Sequence, residues 1–290
     1  MRLCAIMMQK DEGDLLKAWR TYHSLLLGVS NLYILDNQSH DERTLTELDA
    51  AEAAGVHVIR GIAEYRKKGE VVSELICELT DDYDCFFPLD CDEFVGVIKQ
   101  EAFSSEKDTL IASLHAAIER PCLLRVKKSI WNIPFSTGGY FKDMTKIVVA
   151  GLTNVRLDHG FHLYNWSTQK STVDESLIRP CDIGYLHFRN RPFPELLQSA
   201  RQKLKARGVP NFDRKTLERY KGGGRHLIQY FFMSDREYME QLPRPTIDLK
   251  PYFDRAGLEV PFSTRGGEGS YIATARGRRP SGVETEVDLS

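Results

Sequence analysis

Along the first ninety residues, short apolar runs alternate with longer stretches in which apolar residues recur every three or four positions. Arg2 to Met8 reads as a strand. From Glu12 to Leu27, the residues Leu15, Leu16, Trp19, Tyr22 and Leu26 fall at helical spacing. Asn31 to Leu35 is a second strand and ends in Asp36-Asn37. Ser39 or Asp41 can cap a helix that runs to about Ala54, where Gly55 stops it. Val56 to Arg60 is a third strand. Val71, Val72, Leu75, Ile76 and Leu79 mark one face of a third helix, and Cys85 to Leu89 is a fourth strand. Right-handed crossovers between such units demand an α/β fold, with a mostly parallel central sheet and helices on both faces. In these sheets ligands bind at the carboxyl ends of the strands. Here those ends carry Lys10-Asp11-Glu12, Asp36-Asn37, Gly61 and Asp90-Cys91-Asp92-Glu93, so polar residues collect where a site belongs.

The second half is less regular. Leu123 to Trp131 reads as a strand, and Trp131 to Gly139 as a loop. Lys146 to Val149, Asn154 to Leu157 and Gly184 to Phe188 read as further strands, and Glu195 to Arg207 as an amphipathic helix. Gly222-Gly223-Gly224 breaks the chain. From Arg265 onward Gly, Arg, Ser and Glu dominate, which predicts a mobile tail over 265–290.

Composition narrows the function classes. A length of 290 residues suits one large α/β domain or two small ones. Apolar residues make up 42% and charged residues 28%, as in an ordinary soluble protein. The formal net charge of -2 creates no field that would favour nucleic acid. No apolar run approaches the ~18 residues of a membrane span. The start is interrupted by Gln9-Lys10-Asp11-Glu12 too soon for a secretion signal. The six cysteines form no C-x-x-C pair, and most sit in apolar runs. Buried reduced thiols in a cytoplasmic protein are expected.

Candidate chemistry centres on Asp90-Cys91-Asp92-Glu93-Phe94. Three carboxylates within four residues follow an apolar strand directly. Like charges this close repel unless a cation is present, and a hard divalent ion wants oxygen ligands. The alternative is a solvated acidic turn. Asp36-Asn37-Gln38-Ser39 is a turn and helix cap, or a carboxylate that accepts bonds from a nucleobase or ribose. Lys10-Asp11-Glu12 caps a helix or touches a nucleotide. His187, inside an apolar strand, is a core histidine or a further metal ligand. In Asp158-His159-Gly160-Phe161-His162 the two histidines lack zinc spacing, which leaves an acceptor-side or metal-side role open. Lys67-Lys68 and Lys127-Lys128 are solvated charge or face a diphosphate.

Taken in order, these residues resemble family-two-like glycosyltransferases of the GT-A type. The likeness is carried by Met8-Gln9-Lys10-Asp11-Glu12, Trp19, Tyr22-His23, Leu27-Gly28-Val29 and Tyr33 to Asp41. It continues with the Asp-x-Asp-Glu-Phe run at 90–94, the aromatic-glycine loop from Trp131 through Phe135 to Gly139, Lys146-Ile147, and Leu186-His187-Phe188 with the basic helix after it. Asp11 stands where the group has asparagine, Phe188 where it has tyrosine, and Phe135 lacks a glycine straight after it. The resemblance implies a GT-A domain over 1–210, followed by a helical extension over 211–264. It implies a nucleotide-sugar donor, a carbohydrate or other hydroxyl acceptor, and Mn²⁺ or Mg²⁺ held by Asp92 and His187. Asp90 would reach ribose or a metal-bound water, and Glu12, Asp36 and Asn37 would face the nucleoside. Inversion in one displacement needs a general base, for which Asp158 and Asp143 are the candidates. Two rivals remain. A haloacid-dehalogenase-like phosphatase also uses Asp-x-Asp after a strand, but on the first strand of its domain and with Thr or Val where Phe94 stands. A non-catalytic binding module could keep the same fold.

Overall fold

The computed structural model describes residues 1–162, 164–165, 170–171 and 174–264, and the tail expected from Arg265 lies outside the described residues. The first half runs β1 (Leu3–Gln9), α1 (Gly13–Leu27), β2 (Leu32–Asp36), α2 (Glu42–Ala53), β3 (His57–Ile59), α3 (Lys68–Glu78) and β4 (Cys85–Leu89). Then come β5 (Glu93–Lys99), β6 (Ala102–Ser104), α4 (Lys107–Ala117) and the long hairpin of β7 (Cys122–Asn132) and β8 (Gly138–Ala150). The short pair β9 (Tyr164–Asn165) and β10 (Lys170–Ser171) precedes β11 (Ile178–Pro180), β12 (Ile183–His187) and α5 (Phe193–Ala206). The last elements among the described residues are α6 (Arg214–Arg219), α7 (Asp235–Glu240), β13 (Ile247–Asp248) and α8 (Lys250–Asp254).

The strands of the main sheet lie in the order β3-β2-β1-β4-β8-β7-β12-β5-β6, with β11 beside β7 and β13 beside β8. The first four are parallel, as their crossover helices require. β8 joins antiparallel to both β4 and β7, β12 runs parallel to β7, and β5 and β6 pair antiparallel at the far side. The α/β class therefore holds, and the antiparallel strands come from the half without a regular strand–helix alternation. One consequence positions the site. β7 and β12 run in the same sense as β1 to β4, so all six strands deliver their carboxyl ends to one edge.

Alternate residues of β1 feed the two faces. Leu3, Ala5 and Met7 pack with α1, α2 and α4, whereas Cys4, Ile6 and Met8 pack with Val72 and Ile76 of α3. Helices thus cover both faces, and β1 is apolar throughout because both sides are buried. Two sequence expectations change. Asn154–Leu157 is not a strand: Val155 and Leu157 are buried in alternation, but Leu157 N–H donates to Ser73 Oγ at 2.9 Å instead of to a ladder. The loop expected from Trp131 to Gly139 shrinks to a hairpin turn between Asn132 and Gly138. The six cysteines are free thiols. Among the described residues no helix is long and apolar enough to cross a membrane.

The tryptophan and the tyrosine–histidine pair of α1 fasten that helix behind the acidic turn. Tyr22 Oη donates to Val95 O at 2.8 Å, and Val95 N–H donates to His23 Nε2 at 3.2 Å. The other ring nitrogen of His23 lies 2.9 Å from Trp19 O. Phe94 stacks on His23 and meets Tyr22, Phe188 and Phe253 edge-on. Phe188 is fully buried there, in a shell of rings that would leave a tyrosine hydroxyl short of partners.

Candidate functional site

At the edge where the six carboxyl ends meet, the acidic turn between β4 and β5 is held by two ammonium groups. Lys68, at the start of α3, places Nζ 2.5 Å from Asp90 Oδ1. Lys146, on β8, places Nζ 2.6 Å from Asp90 Oδ2 and 2.7 Å from Glu93. Both lysines are almost wholly buried, and Glu93 is fully so. Phe161 lies beneath them, its ring centroid 4.4 Å from Lys68 Nζ and 5.5 Å from Lys146 Nζ. The loop Asp158–His162 presents that ring: His162 N–H donates to Asp158 Oδ1 at 2.5 Å, and Ile147 N–H to Phe161 O at 3.1 Å. Burial alone would raise Asp90, but Lys146 and Lys68 reverse this and hold it well below the ordinary carboxylate range. Burial pushes Glu93 up, and Lys146 only partly offsets it.

Asp92 and His187 face each other across the same edge. His187 Nε2, at the end of β12, is 3.5 Å from Asp92 Oδ2, and Nδ1 is 3.9 Å from Glu93 Oε1. Phe188 N–H donates to Asp92 O at 2.8 Å and fixes the two segments side by side. Burial works against both charges. Asp92 is nonetheless held low by His187, and His187 is raised by Asp92 and Glu93. His187 Nδ1 is buried without a hydrogen-bond partner among the described residues. A histidine that offers Nε2 to a cation usually turns its other nitrogen to a carboxylate, which is how His187 stands toward Glu93. The Asp92–His187 spacing is also less than twice a metal–ligand bond of about 2.1 Å. This pair fits two sites of one divalent ion. Asp90 and Glu93, engaged by lysine, do not enlarge the set, and no cluster of three or more His, Cys, Asp or Glu among the described residues could hold a metal.

The turns after β1 and β2 are tied to each other. Asp36 Oδ1 accepts from Gln9 Nε2 at 2.7 Å and from Ser39 Oγ at 2.6 Å, and Asp36 is buried. Asn37 is buried too and donates to Ile62 O. Asp36 and Asn37, two of the three residues expected at the nucleoside, thus spend their side chains on the turn. Asp11 takes a left-handed backbone (φ 53°) and accepts from the N–H groups of His40 and Asp41 at 2.6 and 2.9 Å. Aspartate and asparagine tolerate that conformation, so the departure at this position leaves the turn intact. Glu12, after β1, is half-buried and accepts from Arg191 Nη2 at 2.6 and 2.9 Å.

No protein-family model matches the sequence, and no match is found among curated proteins. Among solved structures the chain is similar to residues 1–349 of S. aureus TarS, with 11% identity, a TM-score of 0.41, and coverage of 80% of this chain and 71% of that one. It is also similar to glucosyl-3-phosphoglycerate synthase from Mycobacterium tuberculosis, solved with Mn²⁺, UDP and glucosyl-3-phosphoglycerate. That match has 17% identity, a TM-score of 0.36, and coverage of 72% and 81%. A cytidylyltransferase from Leptospira borgpetersenii matches at 12% identity and a TM-score of 0.31, over 52% of this chain and 60% of that one. Likenesses this distant argue for no activity, and the chemistry must come from the side chains.

Of the two carboxylates expected as general base, Asp158 lies in the loop that presents Phe161 to Lys68 and Lys146, with its side chain bonded to His162. Its neighbour His159 feels Lys68 and Asp90 as well as Asp158, and packs edge-on against Tyr65 at 4.5 Å. Asp143 is exposed on β8 opposite Lys128. Lys67, Lys127 and Lys128 are exposed, as solvated charges should be, whereas Lys68 is not. Lys68, Lys146 and Arg191, which answer Asp90, Glu93 and Glu12, are not marked by sequence pattern. Nor is the reciprocal pair Asn132–Asn190, in which each side-chain amide bonds the other residue's backbone at 2.7 to 3.0 Å. The available signal for the lysines was electrostatic: three clustered carboxylates in an apolar context require cations, and a lysine can be one.

Proposed function

We propose that the chain is a nucleotide-sugar-dependent glycosyltransferase that passes a sugar to a hydroxyl acceptor with inversion. The observation that supports this most is the facing of Asp92 and His187 from two strand ends, beside carboxylates whose charge lysines already answer. Asp92 Oδ2 and His187 Nε2 would hold Mn²⁺ or Mg²⁺, which when bound offsets charge on the departing diphosphate. Glu12 and the partly exposed edge of Asp90 would meet ribose hydroxyls, while Asp36 and Asn37 shape the turn beneath the nucleoside. Asp158 would take the proton of the acceptor hydroxyl as its oxygen bonds the anomeric carbon. The bond from that carbon to the phosphate oxygen breaks, and the nucleoside diphosphate leaves with the electron pair. Residues 1–210 would carry this chemistry, and 211–264 would extend it on the acceptor side. A phosphatase would need Asp90 as nucleophile, and both Asp90 oxygens are ion-paired.

The test is release of nucleoside diphosphate from common sugar nucleotides, with and without Mn²⁺. Metal-dependent release is expected, because water can enter an empty acceptor site. Asp92→Asn should abolish the metal dependence and leave the circular dichroism unchanged. Retained Mn²⁺ dependence in that variant would discard the Asp92 assignment. Release of phosphate from a simple phosphomonoester, with no sugar nucleotide bound at millimolar concentration, would favour the phosphatase.

A further inference from the structure

Glu12 stands at the N-cap position of α1, yet its carboxylate makes no capping bond. The exposed N–H groups of that turn are served by others. Gly13 N–H donates to Thr44 Oγ1 at 2.9 Å, and Glu12 N–H to Gln9 Oε1 at 3.3 Å. The helix-cap role that its position allows is therefore not taken. Both Glu12 oxygens turn instead to Arg191, 179 residues further along the chain, whose Nη2 alone supplies the bonds of 2.6 and 2.9 Å. Three strands, β4, β8 and β7, stand between β1 and β12 in the sheet, so this pair joins segments that the ladder does not bring together.

Arg191 is fixed from its own side. The amide clamp with Asn132 holds Asn190 before it, and Pro192 follows it at the start of α5. Tyr238 Oη donates to the Arg191 carbonyl at 3.2 Å, and the guanidinium lies 5.8 Å from the ring centroid of Phe262. Charge agrees with this geometry. Burial raises Glu12, Arg191 is the first group to bring it down again, and Asp92 adds to the rise. Burial would lower Arg191, but Glu12 and then Asp92 raise it above its ordinary value. Both members of the pair thus feel Asp92.

A carboxylate can accept at about four positions, and Arg191 takes one on each Glu12 oxygen. The positions left over suit two hydroxyl donors side by side, as in a vicinal diol. A carboxylate free to turn loses rotamer entropy on making such a contact, whereas one already pinned has little left to lose. We propose that Arg191 is a positioning residue for the donor: it pins the Glu12 carboxylate so that its outer lone pairs receive the two ribose hydroxyls. This deepens the glycosyltransferase reading and rests on it, in particular on Glu12 meeting ribose. Arg191 makes no bond to the donor and acts through Glu12.

The test is calorimetric binding of UDP and GDP, and of their 2′,3′-dideoxy counterparts, to the full chain in saturating Mn²⁺. The nucleotide that binds should do so at least about ten-fold more tightly than its dideoxy counterpart, the difference made by hydrogen bonds to a charged group. Glu12→Gln and Arg191→Gln should each cut that preference to about three-fold or less. The double variant should cut it no further, because the two residues act as one unit. Arg191→Lys keeps the charge on a shorter stem and should fall between the parent and Arg191→Gln, and it reads the same contact if the glutamine variant does not fold. A preference unchanged in Arg191→Gln, with Glu12→Gln effective, would overturn the positioning role alone. Equal weakening of the ribose and dideoxy forms in Arg191→Gln would do the same and give this guanidinium to the diphosphate. A preference unchanged in Glu12→Gln would strike the ribose assignment and the proposal with it. Failure of both nucleotides to bind would strike the glycosyltransferase reading itself.

Discussion

Lys146 brings an ammonium group into a place that is almost free of water, where it answers two carboxylates at once. Burial would lower such a lysine, yet Asp90 and Glu93 raise it above its ordinary value, so it stays charged across the neutral range. The balance at a buried pair is asymmetric. Its net contribution can be small, but removing one partner strands the other as an unpaired charge. Glu93 has nowhere to go, being fully buried with its backbone in the β5–β12 ladder. Lys146→Met should therefore cost about 3–5 kcal/mol in denaturant unfolding. A loss below about 1 kcal/mol would mean that the turn relaxes and rehydrates. Lys68 takes the other Asp90 oxygen and shares the Phe161 ring beneath the pair. Gly69 follows it, where a side chain would run into the backbone of Leu157 and Asp158. That close approach lets the Phe161 loop reach the lysines.

The clasp between α1 and β5 shows how an element-level feature sets a pH response. His23 is fully buried, accepts from Val95 N–H through Nε2, and is pushed down to about 3 by burial from an ordinary 6.5. Between those two values the unfolded chain binds a proton that the native ring refuses. Stability contributed by the neutral ring is thus complete above about pH 6.5 and falls as pH drops toward 3, by roughly 1.4 kcal/mol per pH unit. His23→Gln should take up about one proton fewer on acid unfolding, read from the slope of unfolding free energy against pH. An unchanged slope would show that the ring is protonated in the native state. This clasp also marks how far the sequence could be read. The periodicity of Leu15, Leu16, Trp19 and Tyr22 gave α1, but nothing in it said that His23 supports the strand after the acidic turn. β5 itself was hidden because the fully buried Glu93 opens it, and a carboxylate does not look like the start of a core strand. The opposite error came at Val155 and Leu157, where alternation without a neighbouring strand yields a loop. At the site, the strand-end residues Asp90, Asp92 and His187 were legible from pattern and order. The lysines were not, because a buried lysine is recognisable only once its carboxylates are beside it.

On the scale of the whole molecule, the chain after β12 does two different things. Ala200, Leu204, Leu217, Leu227 and Ile228 gather into a small core of their own. The segment beyond it then returns to the main sheet. β13 pairs with β8 through Ile247–Gly139 and Asp248–Gly138, and α8 inserts Phe253 among Tyr22, Phe94 and Phe188. The ring of Phe253 is fully buried in the same cluster as α1 and the middle of the sheet. Helix α8 is therefore part of the core that fixes the acidic turn, and the small cluster is strapped down between two anchors. Phe253→Ala should cost about 3–5 kcal/mol, as for a large aromatic deleted from a packed interior. The distinguishing readout is where that loss appears. If α8 belongs to the central core, the far-ultraviolet transition of the sheet and the tryptophan signal from Trp19 should shift together to lower denaturant. If α8 were only an appended helix, the substitution would release the end of the chain and leave the transition of Trp19 in place.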